Sequence, residues 1–88
     1  MEKGIKEEAV KRLNYIEGHL AGVRKMVEEG RYCVDVLKQT FAIRKSLEKL
    51  DSLMLAGNFR NCVPEGMRNG GEEQVVSELI ELYNLAEN

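Results

Sequence analysis

Apolar residues set a helical rhythm from the start of the chain. Ile5, Ala9, Leu13, Ile16, Leu20, Val23 and Val27 recur at steps of three or four, which places them on one stripe of a helix over about residues 5–29. Glu7–Lys11 and Glu8–Arg12 stand four apart in the favoured order on the polar side, and Gly30 suits a C-terminal cap. After Gly30-Arg31-Tyr32 a second pattern begins: Cys33, Leu37, Phe41, Leu47, Leu50 and Met54, backed by Val34, Val36 and Ile43. It predicts a helix over about residues 33–62, ended by Pro64. Residues 64–71 read as a loop. A last helix is predicted over about 72–85, with Val76, Leu79 and Tyr83 on one side and Val75 and Leu82 beside them. Glu72 and Glu73 suit its positive N-terminal end. No stretch alternates with period two and none repeats. The reading is an all-α, three-helix protomer, with residues 1–88 as a single domain.

The second helix is long for so short a chain. Its thirty or so residues make a rod of about 45 Å, whereas a compact chain of this length has a radius of gyration near ~12 Å and a diameter of roughly 31 Å. The rod overhangs any monomeric core, and both long helices carry apolar stripes along their full length. Pairing with another copy of the chain is the expected solution.

Composition narrows the class. The 88 residues are 43% hydrophobic and 32% charged with one proline, which excludes a disordered or low-complexity chain. No apolar run approaches the ~18 residues that cross a bilayer, and Met1-Glu2-Lys3-Gly4 opens no signal-peptide pattern, so a cytoplasmic protein with no membrane partner is expected. The net charge of −2 hides an asymmetry: residues 1–60 hold 12 of the 13 Lys/Arg against 9 of the 15 Asp/Glu, leaving 1 against 6 in residues 61–88. A basic body carries an acidic tail.

The two cysteines, Cys33 and Cys62, are 29 residues apart on the predicted second helix. At 100° per residue that is eight turns plus about 20°, so both sulfurs face one way, yet ~43 Å apart along the axis. A disulfide needs Cα atoms within about 7 Å, and a shared metal needs similar closeness. A straight helix therefore excludes an intrachain site. In an antiparallel pair of such helices Cys33 of one chain comes level with Cys62 of the other, giving two identical dithiol sites. The competing reading is that both thiols merely pack as small hydrophobes. In favour of chemistry, Cys33 sits in the first turn of its helix, at the positive end of the dipole and beside free N–H groups, with Arg31 close by. Asn58, four residues before Cys62, lines the same face, but an amide oxygen is a poor ligand for a soft metal. His19, the one histidine, lies off the apolar stripe and reads as a solvent-facing or packing residue. No zinc-type cysteine cluster, phosphate loop or Ser/His/Asp set is present, so an enzyme is not expected and no cofactor is required.

Basic residues concentrate on the two long helices. Lys38, Lys45 and Lys49 share a face of the second, with Arg44 adjacent, and Lys11, Arg12, Arg24 and Lys25 add charge on the first. Gly18 and Gly22 would allow another helix or a phosphate backbone to approach. No helix-turn-helix pattern is visible, so any DNA contact would use the outer surface of an assembled bundle.

Arg12-Leu13-Asn14-Tyr15-Ile16-Glu17-Gly18-His19, then Gly22-Val23, then Arg31-Tyr32-Cys33-Val34-Asp35-Val36-Leu37 resemble the CsoR/RcnR family of bacterial transcriptional repressors. The similarity spans nearly the whole chain and includes the Cys33-to-Cys62 spacing. It implies an antiparallel helical dimer, a dimer-of-dimers homotetramer, operator DNA as partner, and an inducer bound between subunits that weakens the hold on DNA. By the resemblance Cys33 and Cys62 are the inducer-sensing thiols. Copper sensors of the family place a histidine where this chain has Asn58, and nickel or cobalt sensors need histidines that this chain lacks. A cysteine pair without that histidine is similar to the persulfide-sensing branch, so a reactive sulfur species is the expected inducer and Cu(I), held by the same two thiolates, the alternative. A further alternative is a DNA-free helical assembly protein with structural cysteines. Arg12 and Lys49 resemble the family's DNA-contacting residues; Lys11, Lys38, Arg44 and Lys45 extend that set. Tyr32 and Glu78 resemble residues that couple with the copper-site histidine.

Overall fold

A computed structural model describes residues 1–87 of the chain. Two long helices, α1 (Lys3–Glu28) and α2 (Cys33–Gly57), run antiparallel and pack along their length. Ile16 (3% exposed), Val23 and Ile43 form the buried centre of that contact, with Val36 and Leu50 at its edge. Gly30 lets the chain reverse: at φ +65° its N–H bonds the Val27 carbonyl (3.1 Å) while the Arg31 N–H bonds the Met26 carbonyl (2.9 Å). These bonds satisfy the last carbonyls of α1 in a left-handed cap that a side chain would strain. At the other end of the hairpin Ile5 packs on Gly57.

The second rod continues beyond the predicted stop. A π-helical turn, Asn58–Cys62, joins α2 without a break to α3 (Val63–Arg68), so helical backbone runs over residues 33–68. Pro64 does not end it, because it stands at the start of α3 directly after the π turn, whose wider winding relieves the clash of its ring with the turn before. The π turn just before it widens the winding: the Val63 N–H reaches back five residues to the Asn58 carbonyl. The turn that follows spans only residues 69–71. There Gly70, at φ +76°, and Gly71 close a second left-handed cap onto the Met67 and Gly66 carbonyls. α4 (Glu72–Glu87) folds back against α3, with Val75 buried on Gly66. The all-α expectation holds: counting residues 33–68 as one rod, the protomer has three helices and no strand among the described residues.

This arrangement is thin and long. Its radius of gyration is 17.2 Å and its extents are 55 × 29 × 15 Å, well beyond the ~12 Å of a compact chain. The accessible surface is 7065 Å², about 1,800 Å² more than the roughly 5,200 Å² expected of a compact 10 kDa protein. Much of the surplus is apolar, since Leu20, Leu37, Phe41, Phe59 and Ile80 are each about half exposed or more. Burial in α1 departs from the predicted stripe accordingly. Ile5, Ala9, Ile16 and Val23 face α2, whereas Leu13, Leu20 and Val27 lie on an uncovered flank. Among the described residues no helix is long and apolar enough to cross a membrane.

Candidate functional site

Helix phase and the fold-back of α4 divide the candidate residues between two ends of the long rod. Cys33 is the first residue of α2, and Tyr32 at the cap position makes no side-chain hydrogen bond to the helix end and is 68% exposed. Cys62 closes the π turn. Both thiols are free and exposed, and unbroken helix between them holds them roughly 40 Å apart. Within one chain they cannot meet. The π turn also changes the phase argument, because its wider winding moves Cys62 off the angle that a uniform α-helix would give.

At the Cys62 end, α4 leans against the rod and encloses a cleft of about 380 Å³. Asn58, Cys62 and Glu78 line it, together with Val63, Leu79 and Leu82. Asn58 and Glu78 are thus brought beside Cys62, while Tyr32 stays with Cys33 at the far end. The apolar wall from α4 was not singled out in the sequence. Its signal is the line Val75, Leu79, Leu82, which borders the cleft; of the expected side Val76, Leu79 and Tyr83, Leu79 lies there, while Val76 and Tyr83 are exposed and do not line it.

No three of the described His, Cys, Asp and Glu residues stand close enough to hold a metal ion. A soft ion would have to be held by two thiolates, one from each of two chains, with Asn58 at its side. His19 takes no part in this. Its Nε2 bonds Gln39 Oε1 at 2.7 Å, tying α1 to α2, and its ring meets Tyr15 edge-on at 5.9 Å. It faces α2, in line with Ile16 and Val23, so of the two roles open to it packing is the one observed.

Most of the candidate basic residues are open to solvent. Lys11, Lys38, Arg44, Lys45 and Lys49 are exposed. Arg12 is half buried against the hairpin, with its Nε inaccessible and unpaired. Gly18 and Gly22 face open space. Neither Glu7–Lys11 nor Glu8–Arg12 closes as an ion pair; among the described residues the one that does is Arg24–Glu28, at 3.3 Å.

The protomer is all-helical, with an uncovered apolar face and exposed thiols at both ends of one rod. The profile of the metal-sensitive transcriptional repressor family matches residues 5–84. The copper-sensing transcriptional repressor CsoR of Bacillus subtilis is 35% identical over 78 residues, covering 89% of this chain and 77% of its own length. CsoR of Mycobacterium tuberculosis is 37% identical over 76 residues, covering 86% of this chain and 64% of its own length. The crystal structure of copper-sensing CsoR with Cu(I) from Geobacillus thermodenitrificans superposes with a TM-score of 0.90 at 36% identity, covering 100% of this chain and 92% of that one. The nickel-responsive regulator InrS superposes at 0.72 with 37% identity, covering 89% and 88%. The chain belongs to the metal-sensitive transcriptional repressor family, the CsoR/RcnR family. It is a transcriptional repressor and not an enzyme, and the reading as a DNA-free assembly protein falls with that.

Proposed function

We propose that the chain represses transcription in the cytoplasm by binding operator DNA as a dimer of dimers, and that it lets go when a thiophilic inducer joins Cys33 of one chain to Cys62 of another. One observation carries this: two exposed thiols stand at opposite ends of one unbroken rod whose apolar side is uncovered. An antiparallel pair covers that side and brings the thiols together twice. Lys11, Arg12, Lys38, Lys45 and Lys49 supply the phosphate-facing charge. An inducer that binds one arrangement of the dimer better than the DNA-competent one shifts the equilibrium by that difference in affinity.

Cu(I) is the inducer that the relatives support, since the CsoR proteins at 35–37% identity are copper-sensing. A soft monovalent ion accepts two thiolates, and Cys33 and Cys62 would hold it between chains. Tyr32 and Glu78 would then border it from the two ends of the paired rods.

A second reading is favoured by Asn58, which stands beside Cys62 where the family's copper sensors place a histidine. It takes a polysulfide as inducer. The Cys33 thiolate attacks a terminal sulfur, forms a persulfide and releases the shortened polysulfide anion. The Cys62 thiolate of the other chain then attacks Cys33 Sγ, breaking the bond to the outer sulfur, which leaves as hydrosulfide, and closing a Cys33–Cys62 disulfide. The polysulfide is the oxidant and the thiols are oxidised.

Operator release measured in parallel with Cu(I) and with polysulfide, under anaerobic conditions, tests both readings on one protein. Cys33→Ser should bind the operator as the parent does and release with neither agent. Release of the parent by neither would refute control through the dithiol, and release of Cys33→Ser would do the same.

A further inference from the structure

We propose that Arg44 and Asp51 make reciprocal charge contacts between two copies of this chain, and that these contacts set the register in which Cys33 of one copy meets Cys62 of the other. The inference rests on the antiparallel pairing proposed above and names what aligns it.

Helix phase divides α2 into three sides. With Cys33 as origin and 100° per residue, Ile43 and Leu50 fall near −80° and −100°, the side packed on α1. Lys38, Lys45 and Lys49 fall between about 120° and 160°, the lysine face. The third side is uncovered and mostly apolar: Leu47 near −40°, Leu37 and Leu55 near 40°, Phe41 near 80°, all substantially exposed. Arg44 and Asp51 stand in the middle of it, at about 20° and 0°. Adjacency in sequence groups Arg44 with the lysines, but on the helix it is some 100° or more away from them. Its guanidinium lies over the Phe41 ring, 5.4 Å from the centroid, on the uncovered side.

Neither residue closes an ion pair within the described residues of the chain. An arginine and an aspartate in the centre of an apolar face that becomes covered are costly unless each meets an opposite charge. The spacing supplies one. Arg44 follows Cys33 by eleven residues and Cys62 follows Asp51 by eleven, so the line Cys33, Arg44, Asp51, Cys62 is symmetric about the point between Leu47 and Glu48. A two-fold axis through that point sets Arg44 of each copy level with Asp51 of the other, roughly 5 Å along the rod from the axis. Phe41 then lies level with Met54. Helices 8–10 Å apart leave a gap that these two side chains span.

The same geometry disfavours slipped pairings. A slip of about one turn brings Arg44 level with Glu48, but it sets both Asp51 carboxylates against Phe41 and moves Cys33 off Cys62. Both charged residues precede the π turn, so their register is laid down on uninterrupted α-helix. The pair thus acts as a positioning device, and specificity for one register comes from the penalty on the others.

Cross-linking of the full chain with a short bis-maleimide, followed by peptide mapping, tests this. The parent should give an interchain Cys33–Cys62 product. Asp51→Arg sets like charges opposite each other twice, and Arg44→Asp does the same with carboxylates. Either should lower that product about tenfold or more, since a penalty of 1.4 kcal/mol already gives tenfold and like-charge contacts across an interface exceed it. The double variant Arg44→Asp/Asp51→Arg should restore both the product and the helical circular dichroism. An undiminished yield in Asp51→Arg overturns the proposal, as does a double variant no better than either single one. A parent that yields no Cys33–Cys62 product overturns the antiparallel site itself, a different failure from the other two.

Discussion

Phe41 offers a sharp test of assembly, because in the protomer it is 52% exposed and belongs to no core. If its side of α2 stayed wet, Phe41→Ala would change stability by no more than about 0.5 kcal/mol, the usual effect of a surface substitution. If a second chain covers it, the outcome differs. A phenylalanine buries some 150–250 Å² in all, so the exposed half is about 100 Å². At roughly 25 cal/mol per Å² that half contributes about 2.5 kcal/mol per chain and about 5 kcal/mol per symmetric dimer. Not all of it emerges as affinity, since ordering and imperfect fit take a share; half would still weaken dimerisation by about two orders of magnitude. Sedimentation equilibrium gives the dissociation constant directly. Urea melts at two protein concentrations should show a midpoint that rises with concentration for the parent and lies lower for the variant. A change under threefold in dissociation constant, with a concentration-independent midpoint, would refute the reasoning that this face is an interface.

Lys49→Ala should weaken operator binding about equally across DNA sequences and reduce the slope of log affinity against log salt by about one, as expected when one phosphate contact is lost; an unchanged slope in a salt titration removes it from the DNA face. Gly66→Ala places a Cβ 2.6 Å from Val75 Cγ2, so it should destabilise by up to about 2 kcal/mol despite the helix propensity gained. In a Val75→Ala background the same change should be neutral or stabilising, and equal effects in both backgrounds would show no coupling. Gln39→Ala removes the acceptor for His19 Nε2 and should cost about 1–3 kcal/mol in denaturant melts, because the ring nitrogen is left unpaired between two helices; a loss below about 0.3 kcal/mol would mean that the bond adds nothing.

Helix number and type were legible because apolar period is a local signal. The Ile5-to-Val27 rhythm and the glycine after it needed no partner to be read. What failed were features set by contacts between elements. By sequence Pro64 reads as a stop, since a proline inside a helix clashes with the turn before it; the preceding π turn, which relieves the clash, leaves no periodic mark in Asn58-Phe59-Arg60-Asn61-Cys62. His19 lies off the stripe by hydropathy but faces α2, because Gln39 supplies its partner. The α1 stripe was read as wider than the part that is buried: Leu20 and Val27 belong to a surface that one chain does not cover. For the candidate site, the separation of Cys33 from Cys62 along one rod is legible in their 29-residue spacing, and the nearness of Asn58 to Cys62 in its place one turn earlier. The wall that α4 builds beside Cys62 depends on the chain reversal at Gly70, which composition alone does not aim.

In the proposed assembly, core and sensor both depend on a second copy of the chain. A protomer with about 1,800 Å² of surplus surface would gain stability by the proposed pairing. The same pairing is the one way to bring together two thiols held roughly 40 Å apart by rigid helix. In the proposed dimer, assembly and sensing share one interface, so an inducer that links Cys33 to Cys62 would also stabilise the dimer by its binding free energy. It acts on the apolar side of α2, while Lys38, Lys45 and Lys49 lie a third of a turn or more away on the same rod. An inducer there need not touch DNA. Whatever it changes in the tilt or spacing of the paired rods must move the lysines as well, because each rod carries both faces on one continuous backbone.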